Sequence, residues 1–274
     1  MPKPDLMALT GGYRKTPVLQ IGAEIYCDTA LICRVIDRLY PANSVYPLEQ
    51  TAALGAAVHW TDTFLFKVSV AVAFQPKALA GSDLFSDQAA AAAFMADRAE
   101  LSKGSTELGI DLKIAAPYWA MHMQRLDAQL STADFLGGDQ PNVLDFSTYH
   151  CCWFVYKNEA LKPELEQFPA LAQWMLRMAG FGHGEIVSIN SEEAVAIARD
   201  SDIATAPKAT DFVDEQLSVG TSVDVMPIDY GFQPTQGELL LASTEEIVIK
   251  RVDERAGNVA VHFPRLGFQV NASQ

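Results

Sequence analysis

The sequence is short of positive charge, and this shortage excludes several classes of partner. Its 274 residues include 20 lysines and arginines against 34 aspartates and glutamates, which gives a formal net charge of -14. Such a chain repels phosphate backbones and anionic lipid headgroups. We therefore expect neither nucleic acid nor a membrane surface among its partners.

Cysteine is also scarce, and its spacing excludes the usual cysteine motifs. The four cysteines are Cys27, Cys33, Cys151 and Cys152. They form neither a C-x-x-C motif nor a set spaced for a metal ion, and adjacent cysteines do not easily bridge each other. This pattern predicts reduced thiols, a cytoplasmic protein and no metal site.

Long hydrophobic runs are missing as well. The most apolar stretch, 64–74, contains Lys67 and Ser69, whereas a membrane-spanning helix needs about 18 or more apolar residues. The N-terminus has no apolar region of the kind found in signal peptides. The composition, with 49% hydrophobic and 20% charged residues, is that of a soluble protein long enough for two domains.

The most informative stretch runs from Tyr13 to Thr29. Two short apolar runs flank Gly22, which predicts a β-hairpin, and Asp28 and Thr29 then open a helix that Pro41 ends. The first N–H groups of a helix have no intrahelical partner and favour an anion, so a carboxylate could bind there. The alternative is that Asp28 or Thr29 only caps its own helix.

Helical patterns dominate the region from 43 to 203. The predicted helices are 48–74, 82–100, 110–130, 142–155, 168–180 and 192–200, of which 82–100 is a peripheral helix or the first part of a broken one. Asn142 and Asp145 have the spacing of a capping box, which is a structural role. Tyr118 and His122, four residues apart, share a helix face and could line an apolar substrate pocket with Trp60; the alternative for all three is ordinary core packing.

From residue 204 onward the pattern changes to short strands separated by turns. The predicted strands are 222–226, 237–242, 246–252, 258–263 and 267–270. They predict a small antiparallel β-barrel or curled sheet, which we assign to a separate domain over 204–274. Four polar residues scattered through it are expected to lie exposed on strand faces: Asp224, Asp229, His262 and Arg265.

Taken together, these sequence motifs resemble those of the glutathione S-transferase family. The resemblance rests on Thr16-Pro17 before the first strand, Asp28-Thr29 at the helix start, the capping box, and Phe168-Pro169 ahead of Trp174. It implies an α+β multidomain fold, with a partial thioredoxin-like domain over 1–42 and an all-helical domain over 43–203. It also implies a homodimer.

The same resemblance implies a set of ligand contacts. Glutathione would be the co-substrate, with the backbone of Thr16 before a cis Pro17 and Val18 facing its cysteinyl unit. Asp28 and Thr29 would hold its glutamyl end. Separately, Arg14 and Lys15 could supply part of the positive field around the thiolate or meet a carboxylate of the tripeptide; the alternative is that these charged turn residues are only solvated. Cys27 is expected to be a buried structural thiol. The implied activity is transfer of the glutathione thiolate to a small apolar electrophile.

One departure from the family pattern leaves the activity open. The first strand, helix and second strand of the thioredoxin-like domain would precede Met1, and the catalytic Ser, Tyr or Cys lies in that region. We therefore assign no catalytic residue and hypothesise that Met1 is internal to a longer natural chain. The alternatives are a non-catalytic adaptor whose β-domain binds a partner, or a fragment. Substrate and reaction subtype stay open.

Overall fold

A tight turn at Gly22, where φ is +61°, joins the first two strands of the chain. The computed structural model describes residues 3–47, 51–79, 87–107, 109–207 and 217–273. Strand β1 (Val18–Ile21) pairs antiparallel with β2 (Glu24–Cys27), which confirms the predicted hairpin. Helix α1 (Pro4–Thr10) precedes it and ends at Gly11, whose N–H bonds back to the carbonyl of Met7.

The hairpin is part of a larger sheet that includes the C-terminal strands. These are β3 (Ser222–Pro227), β4 (Thr235–Ala242), β5 (Glu246–Asp253), β6 (Gly257–Pro264) and β7 (Phe268–Ala272). The strand order is β1-β2-β6-β5-β4-β3-β7. All neighbours are antiparallel except β2 and β6, which run parallel with Tyr26 opposite His262.

This sheet differs from the sequence-based division into domains. The hairpin and the C-terminal strands belong to one compact unit, formed by 1–36, 93–106 and 187–274. The separate domain that the sequence pattern placed over 204–274 is therefore replaced by strands added to the hairpin. The parallel pairing of β2 with β6 joins segments far apart in sequence, and such pairing leaves no local signature.

One face of the sheet carries the main core of this unit. Helices α1 and α11 (Ser191–Arg199) pack on that face against β6. Because successive side chains of a strand point to opposite faces of the sheet, every second side chain lies in the core. Its largest fully buried members on the strands are Ile25, Leu239, Ile247, Ile249 and Phe263.

The second unit, formed by 37–92 and 107–186, is helical. Its own helices are α3 (Thr51–Trp60), α4 (Phe66–Ala73), α5 (Pro76–Leu79), α7 (Leu112–Leu130), α8 (Val143–Tyr156), α9 (Lys162–Glu166) and α10 (Pro169–Gly180). The division between units falls within α2 (Thr29–Leu39) and α6 (Gln88–Leu101), and a short 3-10 helix covers Pro41–Asn43. The core of this unit forms around Trp174, Met123 and Leu171.

The helix expected over 48–74 contains an interruption. A π-helical turn over Thr61–Leu65 joins α3 to α4 without breaking the helix. Leu48, the predicted start, lies outside the described residues. Turns of this kind insert one extra residue and often occur at functional sites. This one directly follows Trp60 and contains Phe64.

Candidate functional site

The first candidate site lies at the start of β1. The Thr16–Pro17 peptide bond is cis, and both residues are exposed. In the described part of the chain β1 forms the end of the sheet, with β2 on one side and no strand on the other. A strand edge of this kind can pair with an extended backbone.

Asp28 connects this strand pair to helix α2. Its φ of +76° is in the left-handed region, which is uncommon for a residue other than glycine. Its carboxylate accepts a hydrogen bond of 3.0 Å from the N–H of Ala30, so Asp28 does cap its own helix. Burial raises the pKa of Asp28, although the Ala30 N–H and the nearby Lys15 ammonium act in the opposite direction. Thr29, the first helical residue, is exposed.

Lys15 and Asp229 form an ion pair beside this site. The Lys15 Nζ lies 2.6 Å and 2.8 Å from the two carboxylate oxygens of Asp229, and 3.7 Å from the ring centre of Tyr230. Burial lowers the pKa of Lys15, and the hydrogen bond to Asp229 opposes that shift. Sequence reasoning placed Asp229 among scattered surface residues. Its contact with Lys15 depends on a pairing between distant parts of the chain.

A cavity of about 200 Å³ adjoins Lys15 within the same unit. It is lined by Gly12, Tyr13, Arg14, Lys15, Glu100, Leu101, Lys103, Gly231, Phe232 and Gln233. Arg14 forms an ion pair with Asp97, so its charge is also balanced. The cavity thus combines apolar walls with several charged groups.

Cys27 precedes Asp28 but is not arranged as a nucleophile. Its side chain is fully buried, and burial raises the pKa of its thiol well above the ordinary value. A thiol in such surroundings stays protonated and unreactive at neutral pH. Burial likewise raises the pKa of Cys151, to about 12.

The helical unit carries a partly exposed aromatic cluster. The ring centres of Trp60 and His122 are 5.0 Å apart, and Phe64 lies 5.7 Å from Trp60 and 5.6 Å from Tyr118. Trp60 is 42% exposed and Tyr118 46% exposed, so these two rings lie outside the core, whereas Phe64 packs against it. Burial lowers the pKa of His122 to about 4, so its ring is uncharged at neutral pH. Residues 60, 118 and 122, which were predicted as a pocket lining, are therefore neighbours.

Asn142 and Asp145 form a capping box at the start of α8. Asp145 does more than cap, because its fully buried carboxylate also accepts hydrogen bonds from the N–H of Leu136 (2.7 Å) and from Trp174 Nε1 (2.9 Å). It joins α8, α10 and the loop before α8. This is a structural centre of the helical unit, with no exposed atom that a ligand could reach.

A second buried polar centre lies in the sheet, where sequence reasoning expected an exposed histidine. His262 is 3% exposed and lies between the carboxylates of Glu24 and Glu246, with 2.7 Å between Nδ1 and Glu246 Oε1. Glu24 also accepts hydrogen bonds from the N–H groups of Ala204 (2.6 Å) and Thr205 (3.0 Å). The prediction that His262 is exposed was wrong, because the strands that bury it come from distant segments.

No membrane-crossing helix and no metal-binding group occur in the parts of the chain described above. The helices there are too short or too polar to cross a bilayer. No three His, Cys, Asp or Glu side chains within them are grouped as metal ligands would be.

Comparison with known proteins agrees with this architecture. Residues 1–44 match the family model of the glutathione S-transferase N-terminal domain. The solved structure of a GST-like protein from Pseudomonas syringae is 37% identical in sequence, covers 100% of this chain and 87% of its own, and superposes with a TM-score of 0.82. The chain therefore belongs to the glutathione S-transferase-like family.

Two other solved structures are more distant. The β-etherase LigF from Sphingobium is 18% identical over 60% of this chain and 74% of its own, with a TM-score of 0.42. A glutathione S-transferase from Actinobacillus pleuropneumoniae is 14% identical over 64% of this chain and 68% of its own, with a TM-score of 0.41. None of the functionally curated proteins compared with this chain matches it.

Proposed function

We propose that this protein binds glutathione at the junction of β1 and α2 and transfers its thiolate to a small electrophile. The supporting observation is the joint placement of the exposed Thr16–Pro17 pair, the outer β1 edge, with which no described strand pairs, and Asp28 at the start of α2. A peptide backbone pairs with a free strand edge through main-chain hydrogen bonds. A carboxylate at the peptide's end suits the unpaired N–H groups of a helix start.

The cysteinyl unit and the glutamyl end of glutathione each have a partner in this arrangement. The backbone of Thr16 and Val18 faces the cysteinyl unit, with Pro17 fixing the turn. The exposed Thr29 and the first N–H groups of α2 receive the α-carboxylate of the glutamyl end, and Asp28 receives its ammonium group. In the reaction, the thiolate sulfur bonds to an electrophilic carbon and the leaving group departs with its bonding electron pair. The thiol proton passes to solvent. We assign no catalytic residue.

The aromatic cluster of the helical unit supports an apolar electrophile. Trp60, Phe64 and Tyr118 present ring faces and edges suited to apolar and aromatic groups. The uncharged His122 adds a polar atom without placing a charge in the cluster. We expect Trp60, Tyr118 and His122 to contact the electrophile.

Binding of glutathione to an Asp28→Ala variant tests the proposal. Isothermal titration calorimetry should show an affinity loss of about 1.5–3 kcal/mol, the usual size of a hydrogen bond to a charged group. The matched control is Asp111→Ala. Asp111 caps α7 by the same type of bond, 2.7 Å from the N–H of Lys113, so the variant loses a cap but no ligand contact.

Two results would contradict the proposal. One is wild-type protein that binds no glutathione at millimolar concentration. The other is an Asp28→Ala variant that binds as tightly as wild type. Turnover of chlorodinitrobenzene with glutathione then separates a transferase from a protein that only binds the tripeptide.

Two wider expectations accompany the proposed function. The reduced, buried thiols of Cys27, Cys151 and Cys152 suit the cytoplasm. A homodimer is the arrangement implied by the family resemblance, and light scattering coupled to gel filtration measures it directly.

A further inference from the structure

The cavity of about 200 Å³ is enclosed by three segments that lie far apart in the sequence. Its walls come from 12–15, from the end of α6 and the turn after it, and from the loop between β3 and β4. In that loop the N–H of Gly231 donates to the carbonyl of Leu101 (3.0 Å), and Ser105 Oγ donates to the carbonyl of Asp229 (2.6 Å). These bonds fix the loop against the end of α6, so the fold itself forms the cavity.

Apolar and aromatic side chains form much of the cavity wall. Tyr13 and Leu101 are buried, whereas Phe232 is 36% exposed and reaches the surface. Apolar walls with a small number of polar groups are typical of sites for small molecules. The interior of this cavity therefore suits the apolar part of a ligand.

The four charged side chains that line the cavity fall into two kinds. Arg14 and Lys15 already have partners, because they form the ion pairs with aspartates described above. Glu100 and Lys103 are exposed, and neither takes part in an ion pair within the described parts of the chain. The N–H of Lys103 donates to the carbonyl of Glu100 (3.2 Å), which places both in one turn. One carboxylate and one ammonium group thus lie without partners at the rim of an apolar cavity.

We propose that this cavity binds an α-amino acid with an apolar side chain. Lys103 binds the carboxylate of the ligand, and Glu100 binds its ammonium group. The ligand's side chain enters the cavity beside Leu101 and Phe232. An α-amino acid carries one charge of each sign and one substituent on a single carbon atom, which matches a rim with one free charge of each sign.

The inference does not depend on the proposed function. Among the described residues, the cavity lining includes neither Asp28 nor any residue of β1. An amino acid at the rim of the cavity and glutathione at the junction of β1 and α2 therefore use different contacts.

Titration with L-phenylalanine, followed by the NMR signals of the backbone amides, tests the location. The amides of Gly12 and Gly231 belong to the cavity wall and should shift as phenylalanine is added. The amide of Gly22, in the turn between β1 and β2, is the control and should not shift.

Two analogues test the recognition of each charge at low ionic strength, where charge effects are largest. Phenylalaninamide lacks the carboxylate, and N-acetylphenylalanine lacks the ammonium group. Each should bind the wild type about threefold or more weakly than phenylalanine, which is the scale of an exposed ion pair.

Two variants then assign the charges to their partners. Lys103→Gln should bind phenylalanine and its amide about equally but still prefer phenylalanine to the N-acetyl form. Glu100→Gln should show the reverse pattern. Both side chains are exposed, so the fold should be retained. The controls are Lys113→Gln and Glu254→Gln, which make the same charge changes at exposed positions outside the cavity.

A third variant tests the apolar wall. Phe232→Ala should weaken the binding of phenylalanine and both analogues by a similar factor of about threefold, because the ring contacts only the shared side chain. The preferences among the three ligands should stay at their wild-type values.

Three results would overturn the inference. The first is that millimolar phenylalanine leaves the amides of Gly12 and Gly231 unshifted. The second is that Lys103→Gln and Glu100→Gln discriminate among the three ligands as the wild type does. The third is that glutathione displaces phenylalanine, which would place both at one site. If phenylalanine binds as described and glutathione does not bind, the proposed function fails and this inference is supported.

Discussion

His262 on β6 is hydrogen-bonded through Nε2 to the carboxylate of Glu24 on β2. Burial alone lowers the pKa of His262, but hydrogen bonds to Glu24 and Glu246 outweigh it and raise that pKa. Burial also acts to raise the pKa of Glu24, yet hydrogen bonds from His262 and Thr205 lower it to about 2. An imidazolium between two carboxylates therefore links three neighbouring strands.

Replacing His262 should change how stability depends on pH. A histidine with a raised folded-state pKa contributes stability that is complete below its unfolded pKa of about 6.5 and is lost as pH rises through the folded value. We expect the free energy of unfolding of the wild type, measured by urea denaturation, to decrease as the pH rises through the folded-state pKa of His262. His262→Gln should be less stable than the wild type by about 3 kcal/mol at pH 6. Its free energy of unfolding should also decrease less as the pH rises. The control is His183→Gln, at an exposed histidine. Identical pH profiles for wild type and His262→Gln would contradict the imidazolium.

Replacing Glu24 should release the segment that it holds. In Glu24→Ala the N–H groups of Ala204 and Thr205 lose their acceptor, so their hydrogen exchange should accelerate by about tenfold or more. Glu246→Ala is the matched control, since it removes the other carboxylate of His262 but no acceptor of these two amides. Equal acceleration in both variants would assign the effect to general loosening of the sheet.

Asp145 should be more important for stability than a helix cap alone. Loss of a cap costs about 1 kcal/mol, which is the expectation for Asn142→Ala. Asp145→Ala also leaves Trp174 Nε1 and the N–H of Leu136 without their acceptor in the core, so we expect about 3–4 kcal/mol. Thermal and urea denaturation of the two variants measure the difference. Equal losses would mean that Asp145 acts only as a cap.

The affinity for glutathione should fall at acidic pH because of Asp28. Since burial raises the pKa of Asp28, protonation removes its charge at a higher pH than for an ordinary aspartate. Attraction for the glutamyl ammonium group is then lost as pH falls through that raised value. Calorimetry from pH 4 to pH 8 should show this loss in the wild type and a flatter profile in Asp28→Asn. A flat wild-type profile would exclude a charged Asp28 from binding.

Trp60 should affect the electrophile and leave glutathione binding unchanged. Trp60→Ala removes the largest ring of the aromatic cluster, so we expect the KM for an aryl halide to rise about tenfold, corresponding to about 1.4 kcal/mol of aromatic contact. The Kd for glutathione should remain within about twofold of wild type. Trp153→Ala, at another exposed tryptophan that stacks under Lys157, serves as the control.

Local signals predicted most of the secondary structure. Alternating apolar residues and turn residues gave β3 to β7 within one or two residues, and the Asn142 and Asp145 spacing gave the start of α8. These features depend on residues close together in sequence. The helix over 48–74 was recognised, but its π turn was not, because an extra residue in a helical turn has no distinctive composition.

The buried charge pairs could not be predicted from local sequence patterns. Lys15 meets Asp229, and Glu24 meets His262, only because the chain folds back to place β6 beside β2 and the β3–β4 loop beside the first strand. In sequence, each of these residues looks like an isolated surface charge. One local signal was available for His262. Its neighbours two positions away, Ala260 and Pro264, share its strand face and are apolar, which indicates a covered side of the sheet.

The parallel pairing of β2 with β6 imposes an order of events on a growing polypeptide. The carbonyl of Ala23 accepts a hydrogen bond from the N–H of Ala260, so the β2 edge of the hairpin stays unpaired until the ribosome has also synthesised β6, more than 200 residues later in the sequence. During that interval the β2 edge is exposed to mispairing, and pairing with β6 removes that exposure.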